Sequence, residues 1–530
     1  MLVIWVRCSA YGLLATLAWT TNPAEGQNLI STSQTSFHKP AEASGLAFDQ
    51  SVRAAPADSF IDSIGVNTHW AYPVYEQSSA VLKATLKRSG IRHYRDDVGN
   101  GIVAKELAAS GIRLTMLLDP PSGNAPTAEY WTKTPHHTLS YVLKELVGGG
   151  NHAIDAIEMP NELDVFYRSY RWHRDDVATL SKDPNSTDSW AKYGIAITRD
   201  SWNIIKSDPA LAEIKVIGPA LGPTAKGYPA ESLAEFVDWG NFHPYPYAGN
   251  SMSYPMPYAG VQKYFWQTNQ PTVNIDEWPY AFDVFQGAFT DGRGAKPMAA
   301  TETGYYTGTS KRSITESTEA KYIPRLFAEY FRHGVVRTFV YEFMDEGTNL
   351  VEKEQNFGLL HHDLSPKPAF VALSSLIDLL QDRAGSFTPT SLAYHISVQP
   401  SDGYTRTQYL HDLLLQKSDG DFYLLLWHEV ASSSLADSDG KELAGTARDL
   451  VTPSLTVSVA LPPAVESATQ FSYDPSWRLQ PESLAIEAGD VTLSIGDTIT
   501  VLKLVTQMSP SRLAPRNRSH GKSRNREAEK

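Results

Sequence analysis

Two glutamates, Glu162 and Glu302, each close a short apolar run and carry neighbours able to share chemistry with them: Asn161 in Pro160-Asn161-Glu162, and Thr301, Thr303 and Gly304 around the second. Arg95 closes another such run, His243 and Tyr245 a fourth, His69 and Trp70 a fifth, and Tyr341-Glu342 a sixth. A facing pair of carboxyl groups is what cleavage of a glycosidic bond requires. One is protonated to serve the leaving oxygen, and the other is ionised to attack or to activate water from the opposite face. Taken alone, Glu162 reads as readily as the N-terminal cap of the next helix, since loop carboxylates more often cap or face water than catalyse.

Such residues, scattered from 67 to 342, need a frame that gathers them. Eight β-rich runs supply one: residues 62–70, 91–97, 112–121, 153–164, 213–222, 236–247, 296–306 and 335–347. Helical patterns lie between most of them, among them 79–90, 104–111 and 319–334, each with a Gly at or just past its end, and 361–382 reads as an eighth helix. Alternation of this kind predicts a (β/α)8 TIM barrel over residues 57–384, where catalytic groups stand at the C-terminal ends of the strands. On that arrangement the strand 4 and strand 7 glutamates face each other across the mouth.

After residue 385 the helical period gives way to alternating patterns such as DFYLLLWHE (421–429) and DTITVLKLV (497–505). They predict a smaller C-terminal antiparallel β-sandwich over 385–508, to which residues 38–56 add a strand, more as a structural accessory than as a sugar-binding module. Residues 1–26 read as a signal peptide or N-terminal anchor, which implies a secreted or cell-envelope protein, and 27–56 as an entry segment. Residues 509–530 carry seven Lys/Arg against two Glu, with little to fold around, and read as a disordered basic tail.

A net charge of −13 opposes nucleic acid as a partner, and no later apolar stretch reaches membrane-spanning length. The single cysteine, Cys8, leaves the folded region without disulfides, thiol catalysis or Cys-ligated zinc. The His136-His137 and His361-His362 pairs lack the spacing of a zinc site, no Gly-rich phosphate loop precedes a helix, and no metal or cofactor is expected. With 26 Tyr, 19 Phe and 12 Trp, many near Gly, Pro and His, flat apolar faces suited to sugar rings are available, although core packing explains such residues equally well.

The combination of Pro160-Asn161-Glu162, Thr301-Glu302-Thr303-Gly304-Tyr305, Arg95 and His243-x-Tyr245 resembles the signature of clan A retaining glycoside hydrolases, and within that clan the family 5 and family 39 type. The resemblance spans about residues 58–382 and implies a carbohydrate substrate. It implies Glu162 as general acid/base, Glu302 as nucleophile, Asn161 on the sugar 2-hydroxyl, Arg95 and Tyr245 orienting Glu302, and His243 lining the pocket. The carboxyl groups would then lie about 5 to 5.5 Å apart. Two departures matter. Strand 8 offers Tyr341-Glu342 where many relatives place a Trp platform, so Trp70, Trp278 or Tyr305 are candidates to replace it, with His69 and Glu342 as further substrate contacts. An insertion at 248–295 carries Glu277 in "DEW", a rival nucleophile set below Glu302 because residues 296–306 would otherwise have no place in the barrel. A transglycosylase using the same residues, or a non-catalytic carbohydrate-binding protein on a hydrolase-like barrel, remain alternatives.

Overall fold

The computed structural model describes residues 51–97, 101–118, 139–150, 152–170, 178–222, 232–245, 286–310, 313–399, 409–434 and 445–507. Trp278, Glu277, His136-His137, the N-terminal segment and the basic tail lie outside them. No helix among the described residues is long and apolar enough to cross a membrane.

Eight parallel strands form one sheet: β1 (Ile64–Asn67), β2 (His93–Asp97), β3 (Arg113–Leu117), β4 (Ile154–Glu158), β5 (Lys215–Ile217), β6 (Gly240–Phe242), β7 (Met298–Thr303) and β8 (Arg337–Val340). The order runs β5-β4-β3-β2-β1-β8-β7-β6, and a bridge between Ile217 and Trp239 brings the two edges together as a barrel. Helices cover the outside and side chains fill the inside, so β1 and β8 are buried at every residue, as parallel strands covered on both faces should be. β7 pairs in parallel with both β6 and β8, which fixes Met298–Thr303 as the seventh strand and puts Glu302 near its C-terminal end.

The strands are shorter than the expected runs, because the polar tails of those runs are loops that carry the site. Helix α1 (Ala57–Asp62) precedes β1, and α2 (Pro73–Ser89) starts earlier than expected because Pro73, which has no N–H to leave unpaired, suits the first turn. Gly90, Gly111 and Gly334 adopt left-handed conformations after their helices. The eighth expected helix is trimmed at its start. Pro366 and Pro368 keep 361–367 out of helical conformation, and the helix runs Pro368–Leu380.

Beyond the barrel, a six-stranded and a three-stranded sheet face each other. Leu424, Leu426, Leu502 and Leu504 of the larger sheet pack with Val457, Val459, Val491 and Leu493 of the smaller, giving the expected sandwich its own core. Ser51–Arg53 pairs with Ser391–Ala393 and Ala55–Pro56 with Leu415 and Gln416, so the chain entering the barrel is stitched into the sandwich.

The sandwich is also anchored on the barrel helix Glu316–Arg332. Arg325 is fully buried there, donating to Glu429 (3.0 Å), Ser432 (3.3 Å) and the carbonyls of Val430 and Asp497 (both 2.9 Å). Glu329 of the same helix accepts from Trp427 Nε1 (3.1 Å) and from His411. Charged residues that a lone helix would turn to water here hold two folding units together.

Candidate active site

The ends of β2, β4, β6 and β7 bring their functional groups into one cluster, and Arg95 on β2 is the hub. All five guanidinium N–H bonds are used: Nε and Nη2 donate to the two oxygens of Glu158 (Nη2 at 3.0 Å), Nη2 also to Asn161 Oδ1 (3.0 Å), and Nη1 to Asn67 Oδ1 (2.9 Å) and Glu302 Oε1 (2.8 Å). A planar fork with five fixed donors can bind four partners in this way, which a lysine cannot do.

Glu302 takes its second hydrogen bond from Tyr245, whose hydroxyl donates to Oε2 at 2.9 Å. Burial opposes charge on Glu302, yet the His243 and Arg95 cations and the Tyr245 bond outweigh it and hold the carboxyl below its ordinary range. At neutral pH Glu302 is ionised.

Glu162 does stand at the N-cap position of the short helix Leu163–Phe166. Its carbonyl accepts from Val165 and Phe166, but its side chain makes no capping bond. Its backbone is left-handed (φ 39°), a conformation that costs a non-glycine residue about 1–3 kcal/mol. The carboxyl instead meets His243 Nδ1 at 2.9 Å. The strained backbone thus accompanies a carboxyl aimed at the centre of the site.

His243 was expected to line the pocket; its side chain is fully buried behind Glu162 and Glu302. Nδ1 lies 2.9 Å from Glu162 and 3.7 Å from Glu302, while Nε2 is 2.9 Å from Thr301 Oγ1 and 3.7 Å from Glu158. Burial pulls its pKa down, but the surrounding carboxylates push it up to about 10, so the ring is an imidazolium that donates from both nitrogens. Thr301 accepts from it, and its single hydroxyl proton has Glu158 Oε1 (3.0 Å) or Asn241 Oδ1 (2.9 Å) within reach as acceptor.

Oxygens of Glu162 and Glu302 and a ring nitrogen of His243 all lie within 4.8 Å of one another. That spacing would also allow a metal ion, as would the donors of His69, Glu342 and Glu346. In the first group, however, both His243 nitrogens are engaged and Arg95 already neutralises Glu302. In the second, Nδ1 of His69 sits between Glu346 (2.6 Å) and Glu342 (3.1 Å). His243 is thus committed to hydrogen bonds in the first set, whereas in the second Glu342 Oε1 is buried with no hydrogen-bond partner among the described residues.

The remaining expected contacts divide. His69 is partly exposed on the rim, stacked on Tyr72 with ring centroids 4.6 Å apart. Glu342 is fully buried beneath it, accepting from Tyr75 (3.1 Å), and burial with the nearby Glu346 charge pushes its pKa up to about 8. Its side chain braces His69 instead of reaching a ligand. Trp70 is 2% exposed and packs on Tyr75, and Tyr305 is 1% exposed and packs on Tyr322, so neither offers a platform. The half-buried aromatic at the end of β8 is Tyr341, between His69 (5.5 Å), Tyr245 (6.4 Å) and Phe357 (5.2 Å).

Sequence reasoning passed over Glu158 and Asn241, and gave Asn67 and Thr301, which it placed at strand ends, no role of their own. The first had a signal: a carboxyl inside the apolar run Ile154–Glu158 needs a buried partner, and the cation ending the second strand was already in view. Gly304 has a specific reason to be glycine. At φ 149° it lets β7 leave the barrel beside β8, where a Cβ would come within 2.6 Å of the Tyr341 carbonyl.

No protein-family model matches the chain, and no curated protein matches it by sequence. The structure is similar to that of a family 39 glycoside hydrolase from the gut symbiont Bacteroides cellulosilyticus WH2, with a TM-score of 0.51 and 17% identity over 85% of this chain and 81% of that one. Looser superpositions are found with a family 39 enzyme from Xanthomonas axonopodis pv. citri (TM-score 0.47, 15% identity, 86% of this chain and 96% of that one) and a family 30 endoxylanase from Clostridium papyrosolvens C71 (0.44, 10%, 86% and 97%). At such identities the likeness to the first establishes the fold, a barrel with its sandwich.

Proposed function

We propose that the chain is a retaining glycoside hydrolase acting on an oligo- or polysaccharide, with Glu302 as nucleophile and Glu162 as acid/base. One observation carries this reading. Two carboxyl oxygens on facing strands lie within 4.8 Å, and one of the pair is held ionised by a guanidinium and a phenol. Inverting enzymes keep their carboxyls about 6.5–9.5 Å apart to admit water, whereas retaining enzymes bring them to about 5–5.5 Å.

In the first step Glu302 Oε attacks the anomeric carbon, and the bond to the leaving oxygen breaks as Glu162 gives that oxygen its proton. A covalent glycosyl ester results. In the second step water attacks the same carbon, its proton passes to Glu162, and Glu302 leaves as a carboxylate. Esterification removes one negative charge beside His243, which favours Glu162 as base in the second half. Asn161 fits the sugar 2-hydroxyl: its Oδ1 is taken by Arg95, which leaves the amide N–H groups to donate. Export fits the apolar segment within residues 1–26 and is tested by sequencing the N-terminus of the mature chain.

Replacing Glu302 by Gln tests the assignment. Turnover is expected to fall on the order of a thousandfold or more while sugar binding persists. Unchanged turnover would remove Glu302 from the reaction. A protein that binds sugars equally well before and after, and turns none over, would be the non-catalytic alternative.

A further inference from the structure

Two carboxylates on the loop following β8 share a single partner. Glu342 and Glu346 both turn to one nitrogen of His69, whose Nδ1 lies 3.1 Å from Glu342 Oε2 and 2.6 Å from Glu346 Oε1. Nδ1 carries at most one proton, so one N–H is divided between two oxygens. Glu342 is wholly buried, and its Oε1 has no hydrogen-bond partner among the described residues. Whichever form that carboxyl takes, the oxygen is deficient: an ionised one lacks a donor, and a protonated one lacks an acceptor. Among the described residues no lysine or arginine pairs with either glutamate.

We propose that His69, Glu342 and Glu346 form a binding site for one divalent transition-metal ion of the zinc class, held between the loops after β1 and β8. One donor atom from each residue lies within 4.8 Å of the other two. Tetrahedral nitrogen and oxygen donors about 2.0–2.2 Å from zinc stand about 3.3 Å apart, so the two contacts to Nδ1 need lengthen by less than about 1 Å. On entry the ion replaces the Nδ1 proton, which passes to solvent, and the two carboxylates balance its two charges. The donor set selects the metal. A ring nitrogen with two carboxylates and room for a water suits zinc, whereas calcium takes six to eight oxygens.

The surroundings hold these donors in place. Tyr75 is fully buried and donates to Glu342 Oε2 at 3.1 Å, the kind of outer hydrogen bond that fixes a ligating carboxylate, and Oε1 keeps its lone pairs unused. The His69 ring stacks on Tyr72 and meets Tyr75 edge-on, with centroids 4.6 and 5.9 Å apart, which restrains its rotation. Asp96, a further carboxylate nearby, is already committed to Thr68 Oγ1 (2.5 Å) and the Trp70 N–H (2.9 Å). Glu342 lies buried on the inner side, while the His69 and Glu346 side chains are each 21% exposed and give an ion access from solvent. The other groupings of this type lack these features. Arg95 already neutralises Glu302, and Glu329, His411 and Glu429 are sealed at the junction with the sandwich, where Arg325 neutralises Glu429.

The site goes beyond the hydrolase reading, and its test measures binding rather than turnover. The full chain, stripped with EDTA, is titrated with zinc chloride by calorimetry at neutral pH, and the loaded protein is studied by X-ray absorption. The wild type is expected to bind one zinc at this site, with nitrogen and oxygen neighbours at about 2.0–2.2 Å and the outer-shell scattering of an imidazole. Glu346→Gln keeps the size and removes one charged donor; affinity should fall at least ~10-fold. His69→Asn should lose at least as much, together with the imidazole scattering. Circular dichroism verifies folding, and the partly exposed Glu346 carries the test if the His69 variant does not fold. Glu302→Gln, which alters the other cluster, should bind zinc as the wild type does. No uptake by the wild type at millimolar zinc, undiminished affinity in either folded variant, or a ~10-fold loss in Glu302→Gln overturns the assignment.

Discussion

Replacing Arg95 by methionine exposes how much of the site rests on one guanidinium. The change deletes five donated hydrogen bonds and leaves Glu158 and Glu302 without their shared cation. The cost at Glu158 can be worked through. Burial alone would raise its pKa, but Arg95 and His243 pull it from 4.5 down to about 2. At about 1.4 kcal/mol per pH unit, that depression corresponds to about 3 kcal/mol of folding stability. Removing one partner of a buried ion pair typically costs about 3–5 kcal/mol, which agrees. Because the folded value lies below the unfolded one, the contribution is complete above pH 4.5 and is lost as pH falls through about 2. Urea unfolding at pH 7 should therefore show the variant about 3 kcal/mol less stable, with the gap to wild type narrowing steadily in acid. A gap below about 1 kcal/mol, or one that stays constant down to low pH, would refute the electrostatic reasoning.

Tyr245→Phe should cost about 1.5–3 kcal/mol of transition-state stabilisation, a ten- to hundredfold fall in kcat/KM, since it removes one hydrogen bond to an ionised carboxylate. The phenol favours the charged form of Glu302, so the acid limb of the pH profile should move to higher pH in the variant, as steady-state kinetics across pH will show. Arg325→Met should destabilise the junction between barrel and sandwich by about 3–5 kcal/mol, leaving Glu429 buried and unneutralised. Calorimetry should then resolve two thermal transitions where the wild type shows one.

The barrel was legible because its signal is repetitive: eight apolar runs with polar ends survive errors at any one of them, and the glycines after three helices marked their ends. The sandwich was legible from alternation for a similar reason. Residues that meet only by tertiary packing were harder. Trp70 and Tyr305 follow strands as a sugar platform would, but whether an aromatic after a strand turns inward or to the mouth depends on the loop's path, and both turn inward. His243 was placed near the sugar, whereas Thr301 and the missed Glu158 hold its ring fully buried behind the two glutamates. On Glu316–Arg332, Arg325 and Glu329 match a solvated helix face in sequence; only the sandwich above them makes them interior. Local pattern does not reveal which face a second folding unit will cover.

The central claim is double displacement by Glu302 with Glu162 serving both halves, and the stereochemistry of the first-formed product tests it most directly. Polysaccharides and aryl glycosides on which the protein shows turnover would be followed by proton NMR from the first minutes, before mutarotation scrambles the anomers. The account expects the product to appear with the anomeric configuration of the substrate. First appearance of the opposite anomer would mean a single displacement by water and would contradict the roles assigned to both glutamates.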